Sequence, residues 1–218
     1  MLKIEKTVLP SPEQWEIIIE GMRNPMNSWD KSDSEVGDFN RYFYLGNNDR
    51  QLMTNLAKGG AVHAKYRRMI PVYLTINAPL YWWKEFDTYK VGTVANSCST
   101  MHKIHSKEFT LDDFSCEKIG DVPNCDPAYY GALETVISAL NEARHCYLDT
   151  SDRHYWDQMI QLLPTSYNQK RTVMLNYEVL CNIYHSRKNH KLDEWHVFCD
   201  WIRSLPYFEL ITGGNHDG

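Results

Sequence analysis

The sequence has no apolar run near the roughly 18 residues that a membrane-spanning helix requires, so no span is expected. It has no excess of positive charge. Lysine and arginine number 23 against 28 aspartates and glutamates, a formal net charge of −5, which argues against non-specific nucleic-acid binding and against adhesion to a membrane surface. No CxxC pair occurs among Cys98, Cys116, Cys125, Cys146, Cys181 and Cys199. The stretch Met1 to Pro10 is too polar for a secretory signal. Without such a signal the even cysteine count does not imply disulfides. These absences read as a soluble, cytoplasmic protein. Cys181 and Cys199 sit among apolar neighbours and are expected to be buried thiols. His185, His190 and His196 are spaced so that a helix would not put them on one face, so no metal site is expected. There is no internal repeat and no low-complexity tract.

What is present is apolar and aromatic. The 218 residues are 43% apolar and 13% aromatic, enough for a sizeable core. The length fits one domain over residues 1–212, or one domain completed by partner subunits, with a disordered tail at 213–218. Ser11-Pro12-Glu13-Gln14 is a helix start, with Ser11 as cap, Pro12 in the first turn and Gln14 completing a capping box. Residues Arg23 to Asp38 are polar and read as a loop with a possible short helix. Asn48 opens a second helix, ended by Gly59-Gly60.

Ile70 to Ile76 alternates as a strand with one face inward. Pro71 marks an edge strand or the point where the chain enters one. Pro79 starts a helix over Leu80 to about Lys90, Gly92 breaks it, and Asn96 to His102 reads as an irregular loop. Ser106 to Asp126 is loop-like, punctuated by Gly120, Pro123 and Pro127, and Asp126-Pro127 is another helix start. Leu133, Ile137 and Leu140 recur at helical spacing. Leu163-Pro164 interrupts the next segment. A long helix is expected from about Gln169 to Arg187, begun by Lys170 and Arg171, and a last one over Leu192 to Ser204 with Trp195, Cys199 and Ile202 on its inner stripe.

Two segments carry a resemblance. The first is Ala78-Pro79-Leu80-Tyr81-Trp82-Trp83-Lys84-Glu85-Phe86-Asp87-Thr88-Tyr89-Lys90-Val91-Gly92-Thr93, continued by Asn96-Ser97-Cys98-Ser99-Thr100-Met101-His102. The second is Leu163-Pro164 followed by Asn176-Tyr177-Glu178-Val179-Leu180-Cys181-Asn182-Ile183-Tyr184-His185-Ser186-Arg187. In order and spacing they resemble the flavin-dependent thymidylate synthases, over most of Asn48 to Trp201, with His63 before the strand and Glu194 in the terminal helix also in place. The resemblance implies an α+β fold, a small sheet with long helices, and a homotetramer with sites shared between subunits.

The charges depart from that pattern. The family's Arg-His-Arg is Thr88-Tyr89-Lys90, its Gln is Glu85, its loop Glu is Ser97 and its loop Arg is Met101. Its Asn-Leu-Arg arginine is Glu178, a reversal of sign, and the arginine before Leu-Pro is Ile160. Carried over residue by residue, the resemblance puts Asn176, Asn182, Lys90 and Thr93 towards an FAD cofactor and Arg187, Ser99 and Glu85 towards a pyrimidine nucleotide of dUMP type. It assigns no catalytic side chain, because flavin and folate carry the family's chemistry. Lysine at position 90 lacks the two-pronged contact of arginine with phosphate. On one long helix, Asn176 and Arg187 would share a face across Leu180 and Ile183. The implied activity is C5 methyl or hydroxymethyl transfer on a pyrimidine nucleotide. The alternative is a catalytically silent homologue that binds a nucleotide or a protein and keeps only the oligomeric scaffold.

Overall fold

The computed structural model describes residues 1–37, 39, 41–119 and 128–212. The expected helix start at Asp126-Pro127, the breaks at Gly120 and Pro123, Cys125 and the tail at 213–218 lie outside the described residues. In chain order the elements are β1 (Lys3–Val8), α1 (Pro12–Arg23), β2 (Glu35–Val36), β3 (Phe43–Tyr44), α2 (Asn47–Lys58), β4 (Pro71–Pro79), α3 (Leu80–Phe86), β5 (Val94–Ser97), α4 (Ala128–Thr150), α5 (Arg153–Leu162), β6 (Asn168–Asn176), α6 (Tyr177–Arg187), α7 (Asp193–Arg203) and α8 (Phe208–Thr212). Four strands make one sheet in the order β1-β4-β6-β5, and β2 pairs with β3 as an antiparallel ribbon. The fold is α+β, a small sheet with helices, as expected.

Local signals fix several boundaries. Ser11 accepts from the Gln14 N–H while the Gln14 side chain accepts from the Ser11 N–H, a complete capping box. The second helix begins at Asn47, not Asn48. Its cap comes from afar, because the Asp33 carboxylate accepts from the N–H groups of Asn48 and Asp49. Pro71 is the first residue of β4, an internal strand, where its missing N–H is tolerated. The third helix stops at Phe86, four residues before Lys90, and Asn96 and Ser97 belong to strand β5 instead of a loop.

The long helix expected from Gln169 to Arg187 is instead a strand followed by a helix. Residues 168–176 form β6, with Gln169, Val173 and Leu175 buried and Lys170 and Thr172 exposed. That is the period of two of a strand. Asn176 is the cap of α6, its Oδ1 accepting from the Val179 N–H at 3.1 Å. A further short helix, α8, follows Pro206, so α7 is not the last.

The contacts divide the chain into two compact units. Among the described residues, unit 1 comprises 1–5, 76–88, 96–119 and 128–171, and unit 2 comprises 6–37, 39, 41–75, 89–95 and 172–212. In unit 1, Leu133, Leu140, Ala143 and Met159 of α4 and α5 pack on Ile104, Phe109 and Phe114. In unit 2, Trp15, Ile18, Met53, Leu74, Tyr177, Leu180, Ile183, Trp195, Phe198 and Ile202 are all buried. Cys181 and Cys199 are buried as expected, and burial pushes the Cys199 thiol up to about 11, which keeps it protonated and inert. Among the described residues no helix is long and apolar enough to cross a membrane.

Candidate functional site

In unit 2 the segment Tyr89–Thr93 lies against the two ends of α6. Gly92 has φ +79° and sits over the cap of that helix; a Cβ there would stand 3.1 Å from Asn176 Nδ2 and 3.2 Å from Val179 Cγ2. Glycine is required twice over, by the left-handed backbone and by the close approach. At the other end, Arg187 donates from Nε to the Tyr89 hydroxyl at 2.9 Å. Its guanidinium carbon lies 4.8 Å from the centroid of the Trp195 ring and 5.6 Å from that of Tyr89. Of the residues predicted to face a cofactor, Thr93 and Asn176 flank Gly92, Lys90 is an exposed neighbour, and Asn182 is exposed on α6. The Thr93 Oγ1 is buried and has no hydrogen-bond partner among the described residues.

Asn176 and Arg187 do not share a helical face, because Asn176 is an extended residue at the cap, φ −134° and ψ 170°. Arg187 is half-buried against two aromatic rings that hold it as an internal latch. A charge-assisted hydrogen bond contributes about 1.5–3 kcal/mol. Arg187→Ala is therefore expected to lower unfolding stability by about 1.5–3 kcal/mol in urea melts. A loss below roughly 0.5 kcal/mol, the range of plain surface changes, would return Arg187 to a role in holding ligand alone.

The reversed charge at Glu178 has an internal partner. Its carboxylate lies 3.7 Å from Arg67 Nη1, with side-chain exposures of 15% and 6%. The same Arg67 nitrogen is 3.4 Å from Cys181 Sγ. Burial pushes the Cys181 thiol up, with Arg67 opposing the shift. Arg67 thus faces Glu178 as an ion pair without a hydrogen bond, and its buried Nε has no hydrogen-bond partner among the described residues. In unit 1 Arg171 is fully engaged: Nη1 donates to Asp87 Oδ1 at 2.7 Å, Nε donates to Gln169 Oε1 at 2.9 Å, and its guanidinium covers the Trp83 ring at 4.3 Å.

Unit 1 holds the two remaining predicted residues. Glu85 is half-buried on α3, and its carbonyl accepts from the Thr88 hydroxyl at 2.7 Å. Ser99 lines a cavity of about 450 Å³ together with Lys103, Lys107, Phe109, Tyr167, Asn168 and others. The Ser99 Oγ accepts from the N–H groups of Met101 at 3.3 Å and His102 at 2.8 Å, a local turn. Sequence reasoning singled out Lys170 but missed Lys103, Lys107 and Asn168 of this cavity. Reading 169–187 as one helix hid that β6 sends Asn168 and Lys170 into the same cavity as Ser99.

The fold is that of the flavin-dependent thymidylate synthases. Among solved structures, this chain is similar to the flavin-dependent thymidylate synthase ThyX from Helicobacter pylori complexed with FAD and dUMP, at TM-score 0.63 and 15% identity, covering 96% of this chain and 95% of that one. A second structure of ThyX from Helicobacter pylori with FAD and dUMP matches at TM-score 0.62 and 15% identity over the same shares. No protein-family model matches the sequence, and no curated protein matches it. At this identity the likeness is one of fold.

Proposed function

We propose that this chain binds a pyrimidine nucleotide of dUMP type on a thymidylate synthase-like scaffold and holds FAD weakly or not at all. The observation that carries the nucleotide half is the end-to-end match of fold to enzymes solved with dUMP. Ser99, Glu85 and Arg187 are its proposed nucleotide residues, and Asn176, Asn182, Lys90 and Thr93 the residues left on the cofactor side. They suit a flavin dinucleotide poorly. Thr88 and Tyr89 stand where the resemblance puts Arg and His, and Tyr89 is turned onto Arg187. Glu178 stands where it puts Arg, with Arg67 as its partner.

A second reading, C5 methyl or hydroxymethyl transfer on the nucleotide with FAD, is favoured by one feature: the buried Thr93 hydroxyl without a partner beside the Asn176 cap. We further propose that the chain assembles as a homotetramer, following the resemblance. A melt series with dUMP, on material whose mass is measured by light scattering, tests both proposals. Ligand at 100 times its dissociation constant adds about 2.7 kcal/mol to stability, so a clear rise in melting temperature is expected. No rise at millimolar dUMP sinks the nucleotide reading, and a clean monomer sinks the assembly.

A further inference from the structure

A cavity of about 430 Å³ lies within unit 2 and takes in none of the residues assigned above to a nucleotide or a cofactor. Helix α1 lines one side of it with Glu16 and Glu20. Four residues apart, these carboxylates share a helical face and repel one another. Glu20 also stands in the last turn of α1, where the helix dipole disfavours a negative charge. Both side chains are exposed, and neither has an ion pair among the described residues.

The rest of the lining adds acceptors and rings. Asp49 as a carboxylate can only accept, and the Ser32 and Ser34 hydroxyls donate to it at 2.8 and 2.7 Å. Their oxygens therefore hold lone pairs but no proton for a ligand; Ser34 takes the Gly46 N–H on one of them. The Trp29 indole N–H is committed to Asn24 Oδ1 at 2.8 Å, which orients the ring while half of the residue stays exposed. Phe43, stacked on Trp15 at 5.3 Å with 9° between the planes, supplies a second aromatic wall. Buried Arg23 gives its Nε to Asp49 and its Nη1 and Nη2 to the carbonyls of Ser28 and Lys31, so its charge is balanced inside the protein.

Unbalanced carboxylates, hydroxyl acceptors and two rings complement a flat cation with several N–H donors. A guanidinium is such a group: planar, permanently charged, weakly hydrated, able to fork onto a carboxylate and to lie on an indole face. An ammonium is a compact, strongly hydrated point charge and uses a flat wall less well. Ile19 in the lining offers apolar surface to an arginine's methylene stem. The net charge of −5 favours the approach of a basic partner.

We propose that this cavity receives an arginine side chain from a basic segment of another protein, its guanidinium bridging Glu16 and Glu20 and resting on Trp29. The proposal does not depend on the nucleotide reading.

The test titrates the whole chain with a blocked Ala-Arg-Ala-Arg-Ala peptide, with the same peptide carrying lysine or the neutral isostere citrulline for arginine, and with spermidine. Backbone and indole NMR locate binding, and calorimetry measures it. The arginine peptide is expected to shift resonances of residues 16–23 and 28–34 and the Trp29 indole N–H. The lysine peptide should bind more weakly, and the citrulline peptide at least tenfold more weakly. Glu16→Gln/Glu20→Gln should weaken the arginine peptide at least tenfold, with a melting temperature unchanged or raised because a like-charge pair is removed. A merely structural role for the two carboxylates would instead lower it. Single Glu20→Gln should weaken the peptide in part. Equal affinity for the arginine and citrulline peptides, undiminished binding by the double variant, shifts confined to other residues, or no shift at millimolar peptide would each overturn the proposal. Spermidine binding more tightly than the arginine peptide would overturn it too.

Discussion

Protein purified without added cofactor is expected to be colourless, with no flavin released on denaturation. The physical reason is a count of lost contacts. Each charge-assisted hydrogen bond to a phosphate is typically about 1.5–3 kcal/mol. Relative to the pattern it resembles, this chain has Thr88, Tyr89, Met101, Ile160 and Glu178 at former arginine or histidine positions. Losing even three such contacts would weaken binding by about three to six orders of magnitude at about 1.4 kcal/mol per decade. The structure offers little to restore them, since Arg67 is paired with Glu178, Arg171 with Asp87 and Arg187 with Tyr89. The measurement is the visible absorption spectrum of the purified protein. A yellow preparation with near-stoichiometric flavin would overturn this expectation and make the transfer reaction the leading reading.

The largest stability effect is expected at Asp49. Its carboxylate is fully buried and accepts from Arg23 Nε at 2.5 Å, Ser32 Oγ at 2.8 Å, Ser34 Oγ at 2.7 Å and the N–H groups of Asp33 and Ser34 at 3.1 and 3.0 Å. Arg23 in turn donates to the Ser28 and Lys31 carbonyls. One ion pair thus ties residues 28–34 to α1 and α2. Asp49→Ala strands a buried guanidinium, and breaking a buried pair on one side costs about 3–5 kcal/mol. Urea melts should read a loss of that size; a loss under about 1 kcal/mol, ordinary for a point change, would mean that the network is slack.

The same group predicts a pH dependence. Burial by itself pushes the Asp49 carboxyl up, but hydrogen bonds from Ser34, Ser32, Arg23 and the Asp33 N–H outweigh it and hold the pKa below the ordinary 3.8. The unfolded chain therefore takes up this proton first. The stabilisation is complete above the ordinary value and is lost as pH falls through the lower folded one. The stability gap between wild type and Asp49→Asn should stay constant from pH 7 to 5 and shrink below about pH 4.

How much was legible in the sequence depended on whether the determining interaction was local. The capping box at Ser11, the stop at Pro164 and the inner stripe of α7 are decided within a few residues, and each is where the pattern places it. Cys181 and Cys199 were legible as buried for the same reason. The run from Gln169 to Arg187 was not. Its apolar residues satisfy a helical period once the strand and the helix are read together, and only pairing with β4 and β5 selects the extended form for 168–176. The alternation of buried Gln169, Val173 and Leu175 with exposed Lys170 and Thr172 was present as a signal, but a short one.

Sequence by itself therefore determined the order of most helices and one strand of the sheet and, through the resemblance it carries, the α+β class and the substitution of charge at the positions where the resembled family binds phosphate. Tertiary structure decided what those charges do. A guanidinium and a carboxylate far apart in the chain have no assigned partners until the fold closes, and their interaction falls off with distance and with exposure to water. Folding gave Glu178 to Arg67, Arg187 to Tyr89 and Trp195, and Asp49 to Arg23. It also gathered Lys103, Lys107 and Lys170 with Ser99 and Asn168 around one cavity, a grouping that residues so far apart in the sequence acquire only when β6 is laid beside β5.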